Sequence, residues 1–219
     1  MTELRVNVVG SAGAGPASRL LVLIHGYGAD EHDLAPLASL VDPGGDFFTI
    51  CPRGPYDVAP HGGAAWYERG PDAEIDPSSF QGALVALDHL VDAFCGARRL
   101  DRSETVVVGF SQGAAMALAL ALRASGKARP SRVAALSGTL QQPEWLVYDW
   151  AAADLPPVFV QHGTEDPVVD VERGRRTRSE LERHGLAVTY REYPMAHEIT
   201  RESIADLAEW LTTSRGPSG

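Results

Sequence analysis

One serine stands between two glycines at the point where a strand should end and a helix begin. Gly109-Phe110-Ser111-Gln112-Gly113 follows the apolar run Thr105–Val108 and leads into Gly113–Leu122, a stretch of small helix formers. A strand-to-helix turn of this kind projects the serine hydroxyl clear of the sheet, and glycines two positions to either side let the backbones pass closely. The chemistry open to such a hydroxyl is attack on a carbonyl carbon, which makes Ser111 the candidate nucleophile. The plainer alternative is a glycine-rich turn whose serine only caps the next helix. The strand-like run before it and the helical run after it favour the nucleophile.

A serine hydroxyl is a poor nucleophile at neutral pH, so it needs a base to take its proton and an acid to orient that base. Of seven histidines, His89 and His184 fall in helical patterns and His32 and His61 in polar or Gly/Pro loops. His25 and His162 directly follow strand-like runs and precede glycines, which suits turns. His197 lies beyond the last strand-like run and just before the last helical pattern, where a base could reach the middle of a sheet. For the acid, His162-Gly163-Thr164-Glu165-Asp166-Pro167 offers two carboxylates. Asp166 is preferred over Glu165, because the following proline holds it extended and its shorter side chain fixes an imidazole more firmly. The chain order Ser111, Asp166, His197 is that expected of an α/β-hydrolase arrangement. The oxyanion would be met by the Gln112 N–H and by a second N–H from His25-Gly26-Tyr27-Gly28, that of Tyr27.

The elements needed to position these groups can be read from apolar periodicity. Strands are predicted at Arg5–Val9, Leu20–Ile24, Phe47–Cys51, Thr105–Val108, Arg132–Leu136, Val158–Gln161 and Val188–Glu192. Helices are predicted at Asp33–Leu40, Ser78–Phe94, Gln112–Ser125, Val171–His184 and Glu198–Thr213. The alternation, with middle strands apolar on both faces, implies a three-layer α/β fold around a mostly parallel sheet. The first two strands, joined by a helix-free Gly/Ala/Ser/Pro stretch, are expected to form an antiparallel edge pair, and no large cap is expected. Pro52–Pro77 is a long proline- and glycine-rich stretch containing Trp66-Tyr67, which reads as an ordered loop over a binding region. It and Trp145–Trp150 are expected to border the pocket.

Residues 1–219 read as one domain with a frayed tail at 213–219. A net charge of −10 excludes a general affinity for nucleic acid or anionic membrane surfaces. Arg173, Arg175, Arg176 and Arg178 are interleaved with acids and read as one solvated helix face. Cys51 and Cys95 have no metal or redox spacing and read as buried, reduced thiols of a cytoplasmic protein. No run is long enough for a signal peptide or a membrane span, so no stable membrane insertion is expected.

With these residues in view, the chain resembles the phospholipase/carboxylesterase family of α/β-hydrolases, small lidless serine esterases that include acyl-protein thioesterases. Ile24-His25-Gly26-Tyr27-Gly28 looks like the family's L-H-G-x-G and Gly109–Gly113 its G-F-S-Q-G elbow. Pro52-Arg53-Gly54-Pro55, Trp66-Tyr67, the acid loop from His162-Gly163 to Asp166-Pro167-Val168, and Ala196-His197 also match. The resemblance implies hydrolysis of small to medium acyl esters or thioesters without metal or cofactor. It also implies substrate contacts at His25, Gly26, Trp66, Tyr67 and Val168, in a monomer or homodimer. Tyr27 fills a position that is often aliphatic, and its ring is expected to narrow or polarise the acyl site. Two other classes remain open at this point: a non-catalytic binding protein on a hydrolase scaffold, and a hydrolase of amide or peptide bonds.

Overall fold

The computed structural model describes residues 3–10, 17–60 and 62–212; the predicted tail at 213–219 lies outside them. In chain order the elements are β1 (Val6–Gly10), β2 (Arg19–Ile24), α1 (Leu37–Val41), β3 (Phe47–Pro52), β4 (Tyr56–Val58) and β5 (Gly63–Ala65). They continue with α2 (Pro77–Arg98), a 3-10 turn (Arg102–Glu104), β6 (Val106–Phe110), α3 (Gln112–Leu122) and β7 (Arg132–Leu136). The last are β8 (Val158–Gly163), α4 (Val171–Arg183), β9 (Val188–Tyr193) and α5 (Arg201–Thr212).

Seven strands form one sheet in the order β1-β3-β2-β6-β7-β8-β9, parallel except for β1. An antiparallel edge strand is present, but its partner is β3 rather than β2. The reason is burial: Leu20–Ile24 are all at most 1% exposed, so β2 belongs between β3 and β6, whereas β1 leaves Val8 and Val9 in solvent. Strand alternation splits the core into two layers. Leu20, Val22 and Ile24 pack with Val107, α2 and α3, while Leu21 and Leu23 pack with Val106, Val108, α1 and α5.

Several ends differ from the sequence expectation. The predicted helix from Asp33 starts only after Pro36, whose missing N–H and effect on the preceding residue stop earlier helix. Helix α2 runs longer, from an Asp76 N-cap that accepts from the Ser79 N–H to Arg98. Helix α3 ends at Leu122, where Arg123 turns extended and bridges to Tyr148. The Pro52–Pro77 stretch contains the short antiparallel ribbon β4–β5. Trp145 packs on Phe80 and Trp150 stacks on His184, so both serve the core and its margin.

Candidate active site

At the carboxyl end of β6 the chain turns from strand to helix through Ser111, held at φ 54° and ψ −114°. A positive φ on a residue with a Cβ is strained and persists only where its surroundings enforce it. They do so here. The Ser111 N–H donates to Leu136 O at 2.8 Å, and both glycines of the elbow are sterically required. A Cβ on Gly109 would lie 2.1 Å from Gly113 O, and one on Gly113 would lie 2.1 Å from Ile24 O.

The strain aims the Ser111 Oγ at an imidazole. His197 Nε2 lies 2.8 Å from that oxygen, and His197 Nδ1 lies 2.7 Å from Asp166 Oδ2. With the Nδ1–H donated to the carboxylate, Nε2 is left with a lone pair facing the hydroxyl. Phe110 packs its ring 4.8 Å from the His197 ring, so the elbow itself also supports the imidazole. The loops carrying acid and base are locked together: Thr164 N–H donates to Tyr193 O and Glu165 N–H to Met195 O, and a Cβ on Gly163 would meet Met195 O at 2.2 Å.

Asp166 has its side chain fully buried, and its Oδ1 accepts from the Val168 and Val169 N–H groups at 2.8 Å each. Burial pushes this carboxyl up, but the bonds from Val169 N–H, His197 and Val168 N–H outweigh it and hold the group below the ordinary carboxylate range. Glu165, the other carboxylate of the loop, is exposed. The sequence reading assigned His162 only to a turn. It is fully buried, its Nε2 3.6 Å from Asp166 Oδ2 and 2.7 Å from Val169 O, and it therefore braces the acid loop from beneath. Its place directly after an apolar strand was the available signal.

The segment His25–Gly28 lies against the elbow: a Cβ on Gly26 would touch the Phe110 ring at 3.1 Å and Ser111 Cβ at 3.3 Å. Tyr27 and Gln112 consequently border the same cavity as Ser111, about 400 Å³ in volume. The Gln112 N–H is the first of α3 and has no intrahelical acceptor. Its side chain accepts from Trp66 N–H at 2.7 Å and donates to Tyr67 O at 2.9 Å, fixing the aromatic loop.

Tyr67 and Val168 line the cavity, the latter 69% exposed. His25, Gly26 and Trp66 do not, contrary to expectation. His25 is 1% exposed, with Nδ1 on Gly26 O and Nε2 accepting from Gly54 N–H, and Trp66 is fully buried with its indole N–H on His25 O. Their polar atoms are used up in tying the loops together. Burial pushes the His25 imidazole down, consistent with the neutral ring that accepting from Gly54 requires. Neither thiol competes with Ser111, because burial pushes Cys51 up to about 12 and raises Cys95 as well.

A seven-stranded sheet covered on both faces, with a strained serine, a histidine and a buried carboxylate at the carboxyl ends of its strands, defines an α/β-hydrolase. The phospholipase/carboxylesterase family model matches residues 7–215, and the chain belongs to that family. It is 28% identical to acyl-protein thioesterase 1 of Debaryomyces hansenii, an alignment covering 96% of this chain and 97% of that one. A putative hydrolase of Bacillus subtilis, MhqD, is 23% identical over 90% of this chain and 94% of its own. Among solved structures, esterase PE8 superposes with a TM-score of 0.83 at 26% identity, covering 96% and 98% of the two chains. A Bacillus cereus carboxylesterase shares the fold, with a TM-score of 0.80 at 22% identity over 95% and 93%. The protein is a carboxylic ester hydrolase. No helix among the described residues is long and apolar enough to cross a membrane.

Proposed function

We propose that this single-domain enzyme hydrolyses small to medium acyl esters or thioesters through a covalent acyl-enzyme on Ser111. The observation that carries the reading is the continuous hydrogen-bonded chain from Ser111 Oγ through both His197 nitrogens to Asp166. His197 Nε2 takes the hydroxyl proton as Oγ attacks the carbonyl carbon, and the imidazolium that forms is stabilised by the buried Asp166 carboxylate. The oxyanion is met by the Tyr27 and Gln112 N–H groups. Collapse expels the alcohol or thiol with the proton from Nε2. Water, deprotonated by the same nitrogen, then attacks the acyl-enzyme and regenerates Ser111. Every proton is accounted for within the triad, and no step calls on a metal or cofactor.

Tyr27 and Val168, 65% and 69% exposed, supply the apolar surface on which an acyl chain would lie, beside Tyr67. A cavity of about 400 Å³ suits a small to medium substrate. The test is kcat/KM for 4-nitrophenyl esters of increasing acyl length, in wild type and in Ser111→Ala. A loss of about 10⁴-fold or more in the variant is expected, and the chain-length optimum sizes the pocket. Equal rates in both proteins would remove Ser111 from the reaction.

A further inference from the structure

The cavity onto which Ser111 opens carries two arginines, Arg69 and Arg173, and no aspartate or glutamate in its lining. That runs against the composition of the chain, in which 29 acidic residues outnumber 19 basic ones.

Helix α4 displays the selectivity of this arrangement. Arg175 is paired with Glu172 and Glu192, Arg178 with Glu182, and Arg183 with Glu180. Arg173 and Arg176 form no ion pair among the described residues, and these are the two that border cavities. Arg173 lines the Ser111 cavity and also the adjoining one, reached past Thr139 and Gln141, where Arg176 sits. All four arginines of this face, Arg173, Arg175, Arg176 and Arg178, are exposed, as expected of a solvated face; what differs along it is their pairing. Neighbouring carboxylates neutralise Arg175, Arg178 and Arg183, while Arg173, beside the nucleophile, has no such partner among the described residues, and Arg176 sits in the adjoining cavity with Glu180.

Arg69 belongs to a different segment and shares the cavity. Its Nη1 donates to Ala73 O at 2.5 Å, and its guanidinium lies 5.6 Å from the Tyr67 ring centroid. Both contacts orient the group without cancelling its charge, and Arg69 has no carboxylate partner among the described residues. An oriented, un-neutralised guanidinium is the side chain best suited to carboxylate and phosphate oxygens. Two of them place positive charge in the lining of the nucleophile-bearing cavity of a chain of net charge −10, the nearest lining acids being those of the adjoining cavities, Asp57 and Glu68 beyond Arg69 and Glu180 beyond Arg173.

We propose that the preferred substrates carry an anionic group, a carboxylate or a phosphate, in addition to the scissile ester, and that Arg173 holds it with Arg69 contributing from the other segment of the cavity. The inference rests on Ser111 being the nucleophile that opens this cavity. Tyr27 and Val168 remain available for the uncharged part of the substrate.

Matched substrates test it. 4-Nitrophenyl hexanoate is compared with mono(4-nitrophenyl) adipate, of similar acyl length but ending in a carboxylate. Aryl hexanoates bearing a meta methyl, carboxylate or phosphate place the charge on the leaving group instead. Each kcat/KM is divided by the hydroxide-catalysed rate of the same ester. An anionic member should exceed its neutral counterpart by about tenfold in at least one series, and its identity tells carboxylate from phosphate. The ratio should shrink with salt, fall towards one in Arg173→Ala, recover in part in Arg173→Lys, and persist in Arg175→Ala, whose charge is already paired. A wild-type ratio of one or below in both series overturns the proposal, as does a ratio untouched in the Arg69→Ala/Arg173→Ala double variant. If neutral esters are then still cleaved, and Ser111→Ala abolishes that cleavage, the nucleophile stands without the anion preference. Cleavage that survives in Ser111→Ala overturns both.

Discussion

Asp166 and Asp88 are both buried carboxylates held below their ordinary range, and they reach that state by opposite means. Asp88, on α2, is surrounded by cations: Lys127 Nζ at 2.6 Å, Arg123 Nη2 at 2.9 Å and the guanidinium of Arg102. Burial pushes it up, while the Lys127 hydrogen bond and the charges of Arg102 and Arg123 outweigh that. Asp166 has no Lys or Arg partner among the described residues and relies on two backbone N–H groups and the His197 imidazole. The first arrangement is closed, since Asp88 and Asp92 share Arg102 and Lys127, Arg123 adds to Asp88, and the chain of contacts ends on these cations. The second is open, because His197 passes its remaining nitrogen on to a hydroxyl on a strained turn beside a cavity. A displaced titration therefore does not by itself mark a functional site; what the partner does next decides it.

The largest effect expected from this contrast is kinetic. In Asp166→Asn the amide retains an oxygen for Val168 and Val169, but its NH₂ now faces His197 Nδ1. The imidazole proton is driven to Nε2, where it confronts the Ser111 Oγ instead of accepting from it. We expect kcat to fall by about 10⁴-fold with Tm lowered by no more than about 3 °C. Measured kcat within a factor of about ten of wild type would remove Asp166 from the chain of proton transfer.

Asp88→Asn should do the reverse. It leaves Arg123 without its ion pair and Arg102 and Lys127 with Asp92 alone, and should lower stability by about 2–3 kcal/mol, or Tm by roughly 5–10 °C, with kcat/KM changed less than about twofold. Thermal unfolding alongside ester kinetics checks both halves. A kinetic defect as large as that of Asp166→Asn would erase the distinction between the two clusters.

How much of this was legible in the sequence follows from how local each signal is. The elbow is a local event, an apolar run, a serine between glycines and a run of small helix formers, and the structure keeps its order, extending β6 through Phe110. The pairing of β1 was not legible. A short, half-buried strand carries the same pattern beside β2 as beside β3, and only the burial of Leu20–Ile24 on both faces, which depends on the assembled helices, excludes it from that side of β2. His25 and Trp66 show a second limit, since a histidine after a strand looks alike whether it faces a cavity or bonds Gly54 beneath one. The arginines of α4 show a third. All lie among interleaved acids in the sequence, and one partner of Arg175, Glu192 on β9, is distant in the chain, so which arginine is paired and which, like Arg173, forms no ion pair among the described residues depends on the assembled fold. Pro36, by contrast, was a readable stop for the preceding helical pattern.

The smallest effect expected lies in the acid limb of stability. Against burial, which pushes them up, both carboxyls are held below the ordinary aspartate range in the folded protein, Asp88 by the Lys127 hydrogen bond and the Arg102 and Arg123 charges, Asp166 by its Val169, His197 and Val168 hydrogen bonds. As pH falls, the unfolded chain therefore binds protons first. The stability each group contributes is complete above the unfolded pKa and is lost as pH drops through the lower, folded one. Wild-type Tm should consequently fall between about pH 5 and pH 3, and Asp88→Asn, already lacking its share, should show a shallower decline. Over the same range Asp166 stays ionised past the point where an ordinary carboxylate would protonate, so whatever part of the acid limb of kcat/KM this carboxyl sets should lie below the ordinary carboxylate pKa. Parallel Tm curves for wild type and Asp88→Asn would mean that the cations around Asp88 do not hold its titration down. An acid limb of kcat/KM lying at an ordinary carboxylate pKa would mean that the two N–H bonds and the imidazole do not hold Asp166 down either. The two clusters would then differ only in their neighbours, and the physical basis for separating a structural carboxylate from a working one would rest on His197 and Ser111 alone.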